Sequence, residues 1–263
     1  MPDVTRQPSF RSRLAGTDSP LLGTFIKTPS VHVVEILGAS GFDFLVIDAE
    51  HAAFNRQSVD LALLAARAAG IHAVVRVRNC DASEILAALD DGADGVLVPH
   101  ISSREQAEAL VSACRYSRGR GFSNSPRAGA YGATAMWRHV DGEDGRVAVI
   151  AMIEDPPAIE CIDEILSVEG IDAIFIGRGD LTVAMDDRAA GAPSVQAAAH
   201  QIIDAAVRHS KPVWLLPSNA AEAVTFAQRQ VKGFIVSSDQ GLMRSAALQT
   251  LAEFRAPFMK LEA

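Results

Sequence analysis

Apolar residues in this chain gather into short runs, and the stretches between the runs carry apolar positions three and four residues apart. The runs are LLGTFIKT (21–28), FDFLVI (42–47), HAVVRVR (72–78), DGVLVPH (94–100), RVAVIAMIE (146–154), DAIFIGRGD (172–180), KPVWLLP (211–217) and KGFIVSSD (232–239). Each has the content of a buried parallel strand. The segments between them read as helices. Ser30 is an N-cap with Gly38 near that helix's end, and a second, Ala/Leu-rich helix ends near Gly70. Asp81-Ala-Ser-Glu84 has capping-box spacing at the start of a helix to about Asp91, and Ser102-Ser-Arg-Glu105 opens the next with the same device. Asp155 reads as an N-cap followed by prolines at the first helical positions, where a missing N–H costs little. Helices near 194–209 and over 240–254 complete the pattern.

Eight strands alternating with eight helices, mostly about 20 to 30 residues from strand to strand, suit right-handed crossovers. The predicted fold class is α/β, a single (β/α)8 barrel over residues 21–263, after a loose N-terminal arm (1–20) with one short amphipathic piece. An open doubly wound sheet is the competitor, but the GxGxxG turn it would carry after its first strand is absent. About 30 residues, Ser117–Arg146, separate the fourth helix from the fifth strand, long for a plain connection. A connection entering a strand belongs to the barrel floor, so it meets the chemistry only by wrapping upward or entering a neighbouring subunit. Its Arg118, Arg120 and Arg127 read as solvated charges in preference to an anion site.

Composition narrows the function classes. Hydrophobic residues make up 49% of the 263, enough for a sizeable core, and the formal charge is −8. Without a dense Lys/Arg run, no nucleic-acid partner is expected. Cys80, Cys114 and Cys161 stand far apart, as ordinary thiols of a reducing compartment do. The N-terminus lacks a signal peptide's apolar core and no run reaches the length of a membrane span, so a cytoplasmic protein with no membrane partner is expected.

The stretch FDFLVIDAEH (42–51) breaks from an apolar strand into Asp48, Glu50 and His51, as barrels present chemistry at the carboxyl ends of their strands. A surface turn would look the same alone, but other strands end comparably: Arg76 on the third, His100 on the fourth, Glu154 on the fifth, Arg178 and Asp180 on the sixth, Asp239 on the eighth. Glu154 and Asp180 follow adjacent strands. Two bare carboxylates that close repel, and burial raises the pKa of one. A hard divalent cation such as Mg²⁺, Mn²⁺ or Co²⁺ removes the conflict, with waters and a chelating substrate completing its shell. The alternative is an ion-pair network in which each carboxylate pairs with Arg76 or Arg178. His51 is either the natural general base or a hydrogen-bonded structural residue. Arg76 is neutralised by Asp48 or Glu50, or waits for an oxyanion, and both can hold. His100 reads as pocket lining. Lys27 ends the first strand and could in principle form a Schiff base, but it is in the wrong place for the clustered acids, so that mechanism is disfavoured.

Several separated motifs, IDAEHA (47–52), VVRV (74–77), LDDGADGVLVPH (89–100), MIED with Ala158, and ILSVEGIDAIFIGRGDL (165–181), together resemble the metal-dependent (class II) pyruvate aldolases of the 4-hydroxy-2-oxoheptanedioate and 2-keto-3-deoxy-sugar-acid type. The similarity runs from about Leu22 to Asp186 and more weakly beyond. It implies a barrel of the phosphoenolpyruvate/pyruvate type and reversible aldol cleavage of a 4-hydroxy-2-oxo acid to pyruvate, or hydroxypyruvate, and an aldehyde through a metal-stabilised enolate. The resemblance implies metal at Glu154 and Asp180, Arg76 on the pyruvate carbonyl, His51 as base and Asp90 as the acid paired with it. It further implies Asp48 and Glu50 near the metal waters and Arg76, the Gly179–Asp180 backbone under the carboxylate, and a homo-oligomer, a hexamer, with C-terminal helices between partners. A malyl- or citramalyl-type CoA-ester lyase, an oxaloacetate decarboxylase, and a barrel that binds without catalysis are the alternatives. The chain departs from the pattern at Met152 for glutamine, Ala49 for glycine, Val77 for proline and Arg178-Gly179 for Pro-Ala. These changes bear on the substrate more than on the reaction class, and Arg178 points to a different acceptor or subunit contact.

Overall fold

The computed structural model describes residues 8–16 and 19–259, and in it the eight runs form eight parallel strands closed into a barrel in chain order. The strands are β1 Leu21–Ile26, β2 Phe44–Asp48, β3 His72–Arg76, β4 Gly95–Val98, β5 Ala148–Ile153, β6 Ala173–Ile176, β7 Val213–Leu215 and β8 Val231–Ser238. The described helices are α1 Phe10–Gly16, α2 Val31–Gly38, α3 Arg56–Ala69, α4 Ala82–Asp90, α5 Arg104–Cys114, α6 Met136–Arg146, α7 Pro156–Glu160, α8 Ile162–Leu166, α9 Arg178–Ala184, α10 Pro193–Arg208, α11 Ala220–Gln228 and α12 Asp239–Met259. This is the expected (β/α)8 barrel. The helices beyond eight are α1, α6 in the long connection, and the second helix in each crossover after β5 and β6.

Strand side chains alternate between faces, so residues two apart point the same way. Phe25, Phe44, Val46, Val74, Ile150, Met152, Phe175 and Trp214 fill the barrel interior, while Leu45, Ile47, Val75, Val149, Ile153 and Ile174 pack outward against the helices. Continuing each inward parity to the top of its strand brings Lys27, Asp48, Arg76 and Glu154 into the mouth. Gly23 and Gly233 make room below, where a Cβ would lie 2.3 Å from the Phe44 and Trp214 rings. Helix α1 is the amphipathic piece expected in 1–20. Its Phe10 is fully buried, 5.4, 5.3 and 5.6 Å from the Phe44, His72 and Trp214 rings. Residues 1–7, 17 and 18 of that arm lie outside the described residues.

Strands β2, β4 and β6 are entered through the same device. Gly41, Gly92 and Gly170 take positive φ, an apolar residue follows, and then comes Asp43, Asp94 or Asp172. Each aspartate accepts the N–H of the preceding strand (Leu22 at 2.9 Å, Ala73 at 3.0 Å, Val149 at 2.9 Å) and also binds arginine. Arg13 serves Asp43, Arg146 serves Asp94, and Arg11 with Arg115 serves Asp172.

Two local expectations change. The cap of α5 is Ser103, not Ser102, because the Ser103 side chain accepts from Gln106 N, while the Gln106 side-chain Oε1 accepts the Ser102 N–H. In the long connection, Arg118 is solvent-exposed beside Glu169, but Arg120 and Arg127 are not solvated charges. Arg120 is buried, pairs with Asp90 at 2.8 Å and lies 4.4 Å over the Tyr116 ring; Arg127 pairs with Asp60. The connection folds back over the lower end of α4, and that apposition buries both guanidinium groups.

Candidate active site

Asp48 is the deepest charged group at the mouth, fully buried at the end of β2 and in register with Arg76 on β3. Arg76 donates through Nε at 2.9 Å and Nη2 at 2.7 Å to the two Asp48 oxygens, a fork-to-fork geometry. The His51 N–H donates to Asp48 at 3.0 Å and Lys27 Nζ lies 3.1 Å away. Burial works against the Asp48 charge, but Arg76, His51 N–H and Lys27 outweigh it and hold the pKa below its ordinary value. Phe25 lies 4.7 Å beneath the guanidinium. Glu50 reaches Arg76 Nε at 3.3 Å and His51 Nε2 at 3.7 Å, while its buried Oε2 makes no hydrogen bond. Burial raises its pKa over the pull of Arg76 and the two histidines. Arg76 is thus neutralised by Asp48 and Glu50, and it lines the cavity.

Glu154, next along β5, is buried. Its Oε1 accepts the His100 N–H at 3.0 Å and lies 3.4 Å from His100 Nδ1. Burial pushes its pKa up to about 7, with Asp180 and Glu50 adding to the rise and His100 opposing it. His100, expected as pocket lining, is not among the residues lining the cavity and is tied instead to Glu154 and Asp155. It sits in the left-handed region at φ 58 and its ring is 3.1 Å from Asp155. Burial disfavours its charge, yet Asp155, Glu154 and Glu50 prevail and raise its pKa. Asp155 occupies the N-cap position of α7 as expected but makes no capping bond, its carboxylate having turned to His100.

Strand β6 stops at Ile176, so Arg178 and Asp180 belong to the first turn of α9 instead of the strand end. The ion-pair alternative for the two carboxylates is not what forms. Arg76 is taken by Asp48 and Glu50, and Arg178 by Glu222 at 2.7 Å. Among the described residues no arginine pairs with Glu154 or Asp180, and no third His, Cys, Asp or Glu completes a protein-only metal cluster. A cavity of about 560 Å³ opens here, lined by Arg76, Met152, Gly179 and Asp180 and reaching out to Ser218 and Glu222.

Two expected members are elsewhere. Asp239 does not face the cavity; it accepts the Lys27 and Thr28 N–H groups at 2.7 and 3.1 Å, stapling β1 to the start of α12. Asp90 does not pair with His51 within the chain. It ends α4, nine residues and roughly 13 Å of helix below the mouth, and binds Arg120.

A closed parallel barrel whose acids, histidines and arginine converge on the carboxyl ends of the strands has the architecture of a barrel enzyme. The model of the HpcH/HpaI aldolase/citrate lyase family matches residues 21–246. The 5-keto-4-deoxy-D-glucarate aldolase of Escherichia coli O6:H1 is 33% identical over 222 residues, 83% of this chain and 86% of its own. A solved HpcH/HpaI aldolase/citrate lyase family protein from Burkholderia cenocepacia J2315 superposes with a TM-score of 0.88 at 27% identity, covering 94% of this chain and 98% of that one. Citrate synthase SbnG does so at 0.85 and 30%, covering 95% and 98%. The chain belongs to the HpcH/HpaI aldolase/citrate lyase family, as the motifs implied, and is a carbon–carbon lyase.

Proposed function

We propose that the chain catalyses divalent-metal-dependent, reversible aldol cleavage of a 4-hydroxy-2-oxo acid to pyruvate, or hydroxypyruvate, and an aldehyde. The observation that carries this reading is the division of charge at the mouth. Arg76 is fixed by Asp48 and Glu50, while Glu154 and Asp180 are left without an arginine and the Asp180 charge adds to the rise of the Glu154 pKa. A cation fits that pair: two carboxylates would hold Mg²⁺, Mn²⁺ or Co²⁺, with water and substrate oxygens in the remaining positions. Bound there, it would withdraw charge from the 2-oxo acid as the enolate forms.

Arg76, oriented by Asp48, meets the charge developing on the carbonyl oxygen. His51, exposed beside Glu50, takes the 4-hydroxyl proton in cleavage and a methyl proton of pyruvate in synthesis. The Gly179 and Asp180 N–H groups donate to the substrate carboxylate, and a Cβ at Gly179 would meet only open space, which leaves that approach clear. Asp90, tied to Arg120 low on the barrel, can serve only the mouth of another copy, so its acid role comes with a homo-oligomer, a hexamer. Small molecules as the other partners and a cytoplasmic setting belong to the same reading; no described helix is long and apolar enough to cross a membrane.

Deuterium exchange into the methyl group of pyruvate, followed by NMR, tests this without an aldehyde. Exchange with Mg²⁺ or Mn²⁺ that chelator and Glu154→Gln both abolish is the expected result. No exchange from pyruvate or hydroxypyruvate with metal bound would sink the reading. The likeness to a citrate synthase favours a second reading, chemistry on oxaloacetate or a CoA ester, which would show as turnover of those compounds without pyruvate exchange.

A further inference from the structure

The mouth cavity is built differently at its two ends. The inner end holds Arg76, Met152 and Asp180; the outer end is formed by Thr182, Gln196, Ser218 and the pair Arg178–Glu222. Arg178 donates through Nη1 and Nη2 to the two Glu222 oxygens at 2.7 and 2.9 Å, and through Nη2 to the Leu216 carbonyl at 2.7 Å. Its guanidinium lies 5.3 Å from the Phe226 ring. Glu222 also accepts the Ser218 N–H, and its own N–H is capped by Asn219 at 2.9 Å. Arg178 therefore straps the loop after β7 to the helix that carries Asp180, and each charge of the pair is matched by the other.

The remaining charged group at this end, Asp187, is occupied too, accepting the Ser194 and Val195 N–H groups at 2.7 and 3.3 Å. Of the residues lining the outer end, only Arg178 is a cation, and it is paired. The outer end offers a ligand hydroxyl and amide groups.

With the 2-oxo acid against Arg76 and Asp180, the outer end can receive only the part of the substrate beyond the bond that is made or broken. A second carboxylate there would lose water, find no free cation and lie beside Glu222 and Asp187. A hydroxylated, uncharged chain would find donors and acceptors. We propose that the Arg178–Glu222 pair is a specificity element that selects an uncharged hydroxylated aldehyde over a carboxylate-bearing one. This rests on the aldolase reading of the same site.

The test compares kcat/KM for addition of pyruvate to glyceraldehyde and to succinic semialdehyde, using the full chain with Mn²⁺, with pyruvate methyl exchange run on each preparation. Wild type should favour glyceraldehyde by about tenfold or more, a ratio within the reach of a few polar contacts. Glu222→Gln frees the Arg178 charge and should move the ratio about tenfold toward succinic semialdehyde. The double variant with Arg178→Leu, holding neither charge, should return it toward wild type. Arg178→Leu alone leaves Glu222 unpaired and should move the ratio the opposite way, which keeps the test open should Glu222→Gln be unstable. Exchange with a wild-type preference for succinic semialdehyde, or with a ratio unmoved by these substitutions, would overturn the inference while leaving the aldolase reading intact. Absence of exchange removes that reading and the inference with it.

Discussion

Glu154 fills the space that a side chain at Gly177 would need. A Cβ there would lie 2.6 Å from Glu154 Oε2, 2.7 Å from Glu154 Cβ and 2.8 Å from Met152 Cε, although φ at −83 is open to any residue. Gly177→Ala should therefore push the carboxylate aside and, because the Glu154 Cβ is also in the way, force the ends of β5 and β6 to shift. Pyruvate methyl exchange should fall by about 10²-fold, the scale of an ångström-sized misplacement, and the denaturation midpoint should drop in line with the roughly 1–3 kcal/mol that overpacking costs. Asp48 makes the converse case. Asp48→Asn keeps the shape but leaves the buried Arg76 to Glu50 alone, and breaking a buried pair from one side costs roughly 3–5 kcal/mol. Urea unfolding should show that loss directly. An unchanged midpoint would mean that Glu50 alone suffices for Arg76. At this scale the sequence was only partly legible. The charges at strand ends could be read off by parity, but the turn of Asp155 from helix cap to His100 depends on the left-handed backbone at His100, which no local pattern announces.

At the scale of elements, apolar runs and helical spacing disclosed every strand, because a strand buried on both faces has no polar positions to blur it. Boundaries slipped where two equivalent residues adjoin, as at Ser102 and Ser103, or where a strand passes straight into a helix, as at Ile176 to Arg178. The repeated Gly-x-Asp before β2, β4 and β6 was visible in the sequence but carried no meaning until the closed barrel showed each aspartate bridging two strands and an arginine. Asp94 makes the device testable. Burial opposes its charge, yet His72, Arg146 and the Ala73 N–H outweigh it and lower its pKa. A carboxylate held below its unfolded value stabilises the fold at pH above that value, and the contribution fades as pH falls through the folded value. Asp94→Asn should thus cost roughly 1–3 kcal/mol at pH 7, and the gap from wild type should narrow below about pH 4. A gap independent of pH would assign the loss to packing instead of charge.

For the whole molecule, α12 poses the question that one chain leaves open. Every described side chain from Gln240 to Phe258 is exposed. Met243, Ala247, Leu251, Phe254 and Phe258 fall on one stripe at helical spacing, with Phe254 71% and Phe258 65% exposed. Most helical stability comes from packing an apolar face, so a 21-residue helix left in water gains little from its own backbone bonds. An exposed apolar stripe of this extent is the pattern that contact surfaces carry, and Asp90, set far from its own His51, independently requires a second copy if it is to act. The long connection adds Tyr131 and Trp137, both largely exposed, to the surface available for that contact. Light scattering behind size exclusion should give a mass that is a multiple of the chain's. The pair Leu251→Glu and Phe254→Glu should release smaller species with the barrel's far-ultraviolet dichroism preserved apart from the loss of α12. If Asp90 works across the boundary, those species should lose aldol turnover together with their association, and concentrating them should restore both in step. A wild-type chain that is monomeric and fully active would detach Asp90 from the chemistry and leave His51 to act with the groups of its own mouth.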